Sequence, residues 1–150
     1  MNYVVNDIEG LIELNRLSSS TFHKIINICD SISLTNMKIS SYSGLMTPHF
    51  DLLMSKGVII KDVSSEMYVF RKRNSLKNYS DGDISSIYQA YIDRGCLITE
   101  NKFIIDECQR LQIKTINIDE LIMKAIADKE KLEKINNLKI IYKRQIKDII

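Results

Sequence analysis

The run Cys96-Leu97-Ile98-Thr99, apolar at three successive positions with no polar alternation, constrains this chain more than any other feature. A strand that alternates can leave one face to water. One that does not must be covered on both faces, as in a parallel sheet with helices above and below. Other runs of strand character stand at Tyr3-Val4-Val5-Asn6, Met37-Lys38-Ile39-Ser40, Val58 to Val63 and Ile113 to Ile118. Between them the apolar residues fall at helical spacing: Ile8, Leu11, Ile12 and Leu14, then Phe22, Ile25, Ile26 and Cys29. Gly44 to Ser55 and Glu66 to Lys77 read as helices, with Pro48 tolerated near the start of the first. Asp81 or Asp83 opens a strong helix through Ile84, Ile87, Tyr88, Tyr91 and Ile92, which Gly95 closes as a left-handed C-terminal glycine. Thr99 or Glu100 starts another, with Phe103, Ile104, Cys108 and Leu111 inward. Asp119 caps a helical stretch through Leu132, Asn136-Asn137 bends the chain, and Ile135, Leu138, Tyr142, Ile146 and Ile149 stripe a last amphipathic helix.

Strands separated by helices pair in parallel through right-handed crossovers. The expected fold is therefore α/β, a three-layer α/β/α unit with a central parallel sheet. The long gap from Ser64 to Gly95 carries the chain to the other side of the first strand, predicting strand order 3-2-1-4-5. The 150 residues suit one domain, with a core over about 1–126 and a helical C-terminal extension over 127–150. In such sheets the functional crevice lies beyond the carboxyl ends of the strands where the order reverses, here strands 1 and 4.

Composition excludes several classes. The 45% hydrophobic content is too high for global disorder. No apolar run approaches the roughly 20 residues of a transmembrane helix. Met1 to Gly10 holds two acids and no Lys or Arg, unlike a secretory or transit peptide, so a cytoplasmic protein is expected. Cys29, Cys96 and Cys108 are odd in number and far apart, and read as reduced thiols rather than a zinc site. The net charge of +2 divides unevenly: residues 129–150 carry +4 and the remainder −2, and Arg71, Lys72, Arg73 and Lys77 form a second basic run. Both runs have a plain reading as solvated helix faces.

The predicted crevice collects acids. Strand 1 runs into Asp7 and Glu9, the helix beside strand 4 opens at Asp81-Gly82-Asp83, and strand 4 ends in Thr99-Glu100-Asn101. Gly10, Gly44, Gly57, Gly82 and Gly95 are isolated, so no phosphate-cradling glycine loop exists and a nucleotide cofactor is not expected. His23 and His49 lie away from the strand ends and read as structural or surface residues. Taken singly, Asp7, Asp81 and Glu100 can each serve as helix N-caps or first-turn acids. Jointly they would repel one another, and a hard divalent cation offsets that repulsion while activating water for phosphodiester cleavage.

At these segments the chain resembles the PIN-domain nucleases, of the toxin–antitoxin type. Asn6-Asp7-Ile8-Glu9-x-Leu11-Ile12 is similar to the family's opening segment, hydrophobic-Asp-x-Asn/Ser-x-Leu-Ile. Ser80-Asp81-Gly82-Asp83-Ile84-Ser85 resembles its Ser-x-x-Asp-x-Ser segment, and Leu97-Ile98-Thr99-Glu100-Asn101-Lys102 its Leu-Thr-acid-x-Lys segment. Ile116-Asn117-Ile118-Asp119-Glu120-Leu121 resembles the closing strand and helix. The resemblance implies an endoribonuclease dependent on Mg²⁺ or Mn²⁺. Asp7, Asp83 and Glu100 would be its catalytic metal ligands, and Glu9, Asp81, Thr99 and Asn101 would surround them. Arg71, Lys72, Arg73 and Lys77 would grip RNA phosphates at the rim. It also implies an antitoxin-like partner and a homodimer, for which the stripe Leu138, Tyr142, Ile146 and Ile149 offers an interface; that stripe can equally dock on the protein's own sheet. The chain departs from the family at the Glu usual on the helix after strand 2, a few residues beyond a Ser or Thr: Ser40 to Met46 holds no acid. Two further readings therefore stand beside the nuclease. One is a catalytically silent PIN-like protein that binds nucleic acid or protein. The other is an unrelated α/β domain whose acids only cap helices.

Overall fold

The computed structural model describes residues 1–126 and 133–141. Five parallel strands, β1 (Asn2–Val5), β2 (Ser31–Thr35), β3 (Ile59–Lys61), β4 (Cys96–Ile98) and β5 (Lys114–Ile116), form one sheet in the order β3-β2-β1-β4-β5, as the sequence predicts. Register is set at the centre, where Tyr3 faces Cys96 and Val5 faces Ile98. Side chains alternate across a strand. Tyr3, Val5, Cys96 and Ile98 therefore point into one layer, with Phe22, Leu11, Leu53 and Leu121. Val4 and Leu97 point into the other, with Met67, Ile84, Ile87 and Ile104.

The helices of the first layer are α1 (Ile8–Leu17), α2 (Ser19–Ile28), α4 (Thr47–Ser55) and α8 (Ile118–Ala125). The second holds α5 (Glu66–Arg73), α6 (Asp81–Asp93) and α7 (Lys102–Arg110). A short α3 (Asn36–Ser40) follows β2 and packs on α6. Gly44–Met46 forms a 3-10 turn ahead of α4 rather than its first turn, and Pro48 lies in that helix's first turn.

One strand is misplaced by the sequence reading. Met37 to Ser40 is helix, and the second strand is Ser31–Thr35. Its Ser33 and Thr35 are fully buried despite their hydroxyls, because each hydroxyl is hydrogen-bonded. Cap residues also differ from expectation. Arg94, at φ 50°, takes the left-handed position after α6, and Gly95 instead permits close approach of the chain to Asn2. Ser80 caps α6, Asn101 caps α7, and Asn117 caps α8 in a reciprocal capping box with Glu120. Phe103, expected inward, is 76% exposed, since Ile104 and Cys108 already fill the buried face of α7.

Asn136 and Asn137 lie inside a helical stretch, 133–141, not at a bend. That stretch buries Ile135 against the first layer and pairs Lys139 Nζ with Asp119 at 2.8 Å. Tyr142, Ile146 and Ile149 of the proposed dimer stripe lie outside the described residues, whereas the helix expected to run to Leu132 ends at Ala125, where Ile126 turns extended. Cys96 and Cys108 are buried and Cys29 partly so. No described helix is long and apolar enough to cross a membrane.

Candidate functional site

The parallel pairing of β1 and β4 brings two chain ends to one place. The Asn6 and Asp7 amides, just past β1, both donate to the carbonyl of Ile98, the last residue of β4, at 2.9 and 3.1 Å. Asp7 then caps α1, its Oδ1 accepting the Gly10 N–H at 3.0 Å. Gly10 is needed there, because a Cβ would sit 2.5 Å from the Asp7 carboxylate. Across the gap Thr99 is buried, and its hydroxyl oxygen accepts the Asn101 N–H at 3.1 Å. Asn101 Oδ1 accepts the Phe103 and Ile104 amides, so its side chain is committed to starting α7. Glu100 stands exposed between them.

The third side comes from α3 and α6, joined by a chain of hydrogen bonds. The Lys38 amide donates to Thr35 Oγ1 at 3.0 Å, the Thr35 and Ser85 hydroxyls are 2.6 Å apart, and the Ser85 hydroxyl donates to the Gly82 carbonyl at 2.6 Å. Thr35 and Ser85 are fully buried. This fixes the first turn of α3 against the first turn of α6. Asp83 and Lys38 meet there, with Lys38 Nζ donating to Asp83 Oδ1 at 2.6 Å.

These elements enclose a polar pocket of about 310 Å³ lined by Asn6, Asp7, Glu9, Lys38, Tyr42, Asp83, Thr99, Glu100 and Asn101. Six of the seven site residues anticipated around the crevice line it. The exception is Asp81, which turns outward and pairs with Arg71. Arg71 also donates to the carbonyls of Tyr79 and Lys77, so it pins the loop before α6. Lys72 and Arg73 lie on a separate surface with Tyr68 and Val69, and Lys77 is exposed.

Three pocket residues, Asn6, Lys38 and Tyr42, are not among the site residues the sequence points to. The helix after the second strand is α3, and the residue on it a few positions beyond a Thr is Lys38, following Thr35. A cation therefore stands where the resemblance places an acid, ahead of the acid-free Ser40 to Met46, because the second strand ends at Thr35 and its helix begins at Asn36. The signal was present in Thr35-x-x-Lys38, a hydroxyl three residues ahead of the amide it caps. Tyr42 hydrogen-bonds Glu9. Its phenol is pushed well above the ordinary tyrosine range, first by burial, then by the Glu9 charge and that bond, and by Asp7 and Asp83. A phenol raised in the folded state adds stability that is full below the unfolded value of about 10 and fades as pH rises through the folded one. In an ultraviolet titration, Tyr42→Phe is expected to remove the latest-ionising tyrosine.

Four carboxylates face one ammonium in this lining. Oxygen donors of this kind suit Mg²⁺ or Mn²⁺ chemically. The arrangement does not fit such an ion: among the described residues no three acid, His or Cys side chains stand close enough to hold one, and Asp83 is already engaged by Lys38. One polar atom of a pocket-lining residue is left over. Asn6 is 8% exposed, and its Oδ1 is buried with no hydrogen-bond partner among the described residues.

The strand order and the two helix layers define a PIN-like α/β/α fold. Among solved structures the chain is similar to a PilT N-terminus domain protein from the hyperthermophilic archaeon Sulfolobus solfataricus, at 19% identity and a TM-score of 0.62, over 85% of this chain and 96% of that one. That likeness rests on the fold. No protein-family model and no curated protein matches the chain.

Proposed function

We propose that this chain is a PIN-fold module that binds a basic segment of a partner protein at its acidic pocket and does not cleave RNA. The observation that supports this is the Lys38–Asp83 pair inside a lining that still carries three further carboxylates. RNA phosphates would meet like charge there, whereas an Arg or Lys side chain would meet acceptors. The unpartnered Asn6 Oδ1 on the same wall calls for a donor, and a guanidinium has five N–H groups to offer. An antitoxin-like protein with an arginine-bearing tail is a partner of this chemistry.

A second reading, a toxin-like endoribonuclease dependent on Mg²⁺ or Mn²⁺, is favoured by the convergence of Asp7, Asp83 and Glu100 on one pocket. In that reading these three would hold the cation, and Glu9, Thr99 and Asn101 would surround it. Lys72, Arg73 and Lys77 would draw in RNA.

One set of measurements separates the two. Titration of the purified chain with an arginine-rich peptide is expected to give saturable binding, weakened about tenfold by Asp7→Asn with Glu9→Gln, and weakened by salt. Structured and single-stranded RNA incubated with the protein and Mn²⁺ is expected to stay intact. RNA cleavage that disappears in Asp7→Asn with Asp83→Asn would establish the nuclease instead.

A further inference from the structure

We infer that Lys38 is the built-in cation of this pocket, doing the neutralising work of a divalent ion, and that replacing it with an acid turns the pocket into a divalent-cation site. The inference rests on the reading of the pocket as metal-free and goes beyond it by assigning the cause to one side chain.

The argument begins with charge. Asp7, Glu9, Asp83 and Glu100 share a lining in which Lys38 is the one basic residue. Carboxylates held together repel unless a cation lies among them. Lys38 is not a passing surface lysine. Its side chain is 13% exposed and that of Asp83 23%. Its backbone is anchored by Thr35, and the buried Thr35–Ser85–Gly82 bonds tie that anchor to the helix that carries Asp83. Gly82 adds to this, since a Cβ there would already touch Lys38 Cα at 3.4 Å. The ammonium is therefore delivered to Asp83 by the fold rather than by a flexible reach.

The second observation is Asn6. Its buried Oδ1 has no donor among the described residues, and no hydrogen bond joins it to Lys38. A single ammonium at Asp83 thus leaves an oxygen of the same pocket unserved, as a +1 point charge that replaces a larger coordination shell would. A divalent ion takes six or more oxygen ligands. An acid at position 38 adds a carboxylate and frees Asp83 in one step.

The experiment is a Mn²⁺ titration of the full chain by calorimetry, with Tm followed in parallel. It compares the natural protein, Lys38→Glu, Lys38→Met, and Lys38→Glu combined with Asp83→Asn. The natural protein is expected to show no saturable site and no Tm rise. Lys38→Glu is expected to bind one Mn²⁺ at least about tenfold more tightly than the natural protein, with a Tm rise that Asp83→Asn abolishes. Natural protein that binds one Mn²⁺ as tightly as Lys38→Glu would overturn the inference, and so would a folded Lys38→Glu with no gain. If circular dichroism shows Lys38→Glu unfolded, Lys38→Met decides. It keeps an unbranched chain without the charge, and is expected to bind Mn²⁺ several-fold more tightly than the natural protein; equal affinity overturns the inference. Failure of the arginine-peptide titration would remove the proposed partner and leave this result standing.

Discussion

Alanine at Gly95 is expected to destabilise the protein by about 3 kcal/mol or more, at the upper end of overpacking costs. A Cβ at this position would drive into the carbonyl oxygen of Asn2, well inside van der Waals contact. The obstacle is backbone, so no side chain can rotate away. Gly95 precedes β4 and Asn2 begins β1, the central strand and one of its two neighbours. Relief requires the pair to part at the sheet's middle, and Asn6, Asp7 and Glu100 ride on that pairing at its other end. Denaturant unfolding of Gly95→Ala checks the magnitude. Gly44→Ala is the control: nothing lies within 4 Å of a Cβ there, and its midpoint is expected to stay near that of the natural protein.

Phe22→Ala is expected to cost about 3–5 kcal/mol, the range for emptying a large aromatic site. Phe22 is fully buried in the first layer, on α2. The loss is a large share of the roughly 5–15 kcal/mol that holds a domain together. In a 150-residue chain it corresponds to a Tm drop on the order of 10 °C. Phe22→Leu keeps most of the volume and is expected to lose much less. Thermal unfolding by circular dichroism distinguishes the three proteins.

The layer architecture and the strand order were legible because both follow from local apolar patterning. Val4 and Leu97 on one face, with Tyr3, Val5 and Ile98 on the other, are buried without alternation, as a doubly covered strand must be. The long connection before Cys96 placed β4 beside β1. The second strand was not legible in the same way. Ser31, Ser33 and Thr35 look like loop chemistry, and only the hydroxyl bonds of Ser33 to Tyr3 and of Thr35 to Ser85 make that face a buried one. Those bonds span 30 and 50 residues, and no local window contains them. The five-residue slip then hid Lys38. Among the residues lining the pocket, Asp7, Glu9 and Glu100 were legible because they follow strand ends, and Asp83 because it lies in the first turn of the helix before β4. Asp81 was not separable from Asp83 by type; helical geometry turns one inward and leaves the other to Arg71.

The pairing of β1 with both β2 and β4 also bears on how the chain reaches this state. Tyr3 finds Ile32 within the first quarter of the sequence but waits for Cys96, about ninety positions later, for its other neighbour. During synthesis from the N-terminus, the first strand emerges long before one of its two edges can be covered. Contacts of such sequence separation slow folding, because the loop must close before the pairing repays it. Residues 1–61 therefore form an unfinished half-sheet, with Val4 and Thr35 lacking the cover that α6 supplies, and a nascent chain halted before Cys96 is expected to be a substrate for chaperones rather than a folded domain.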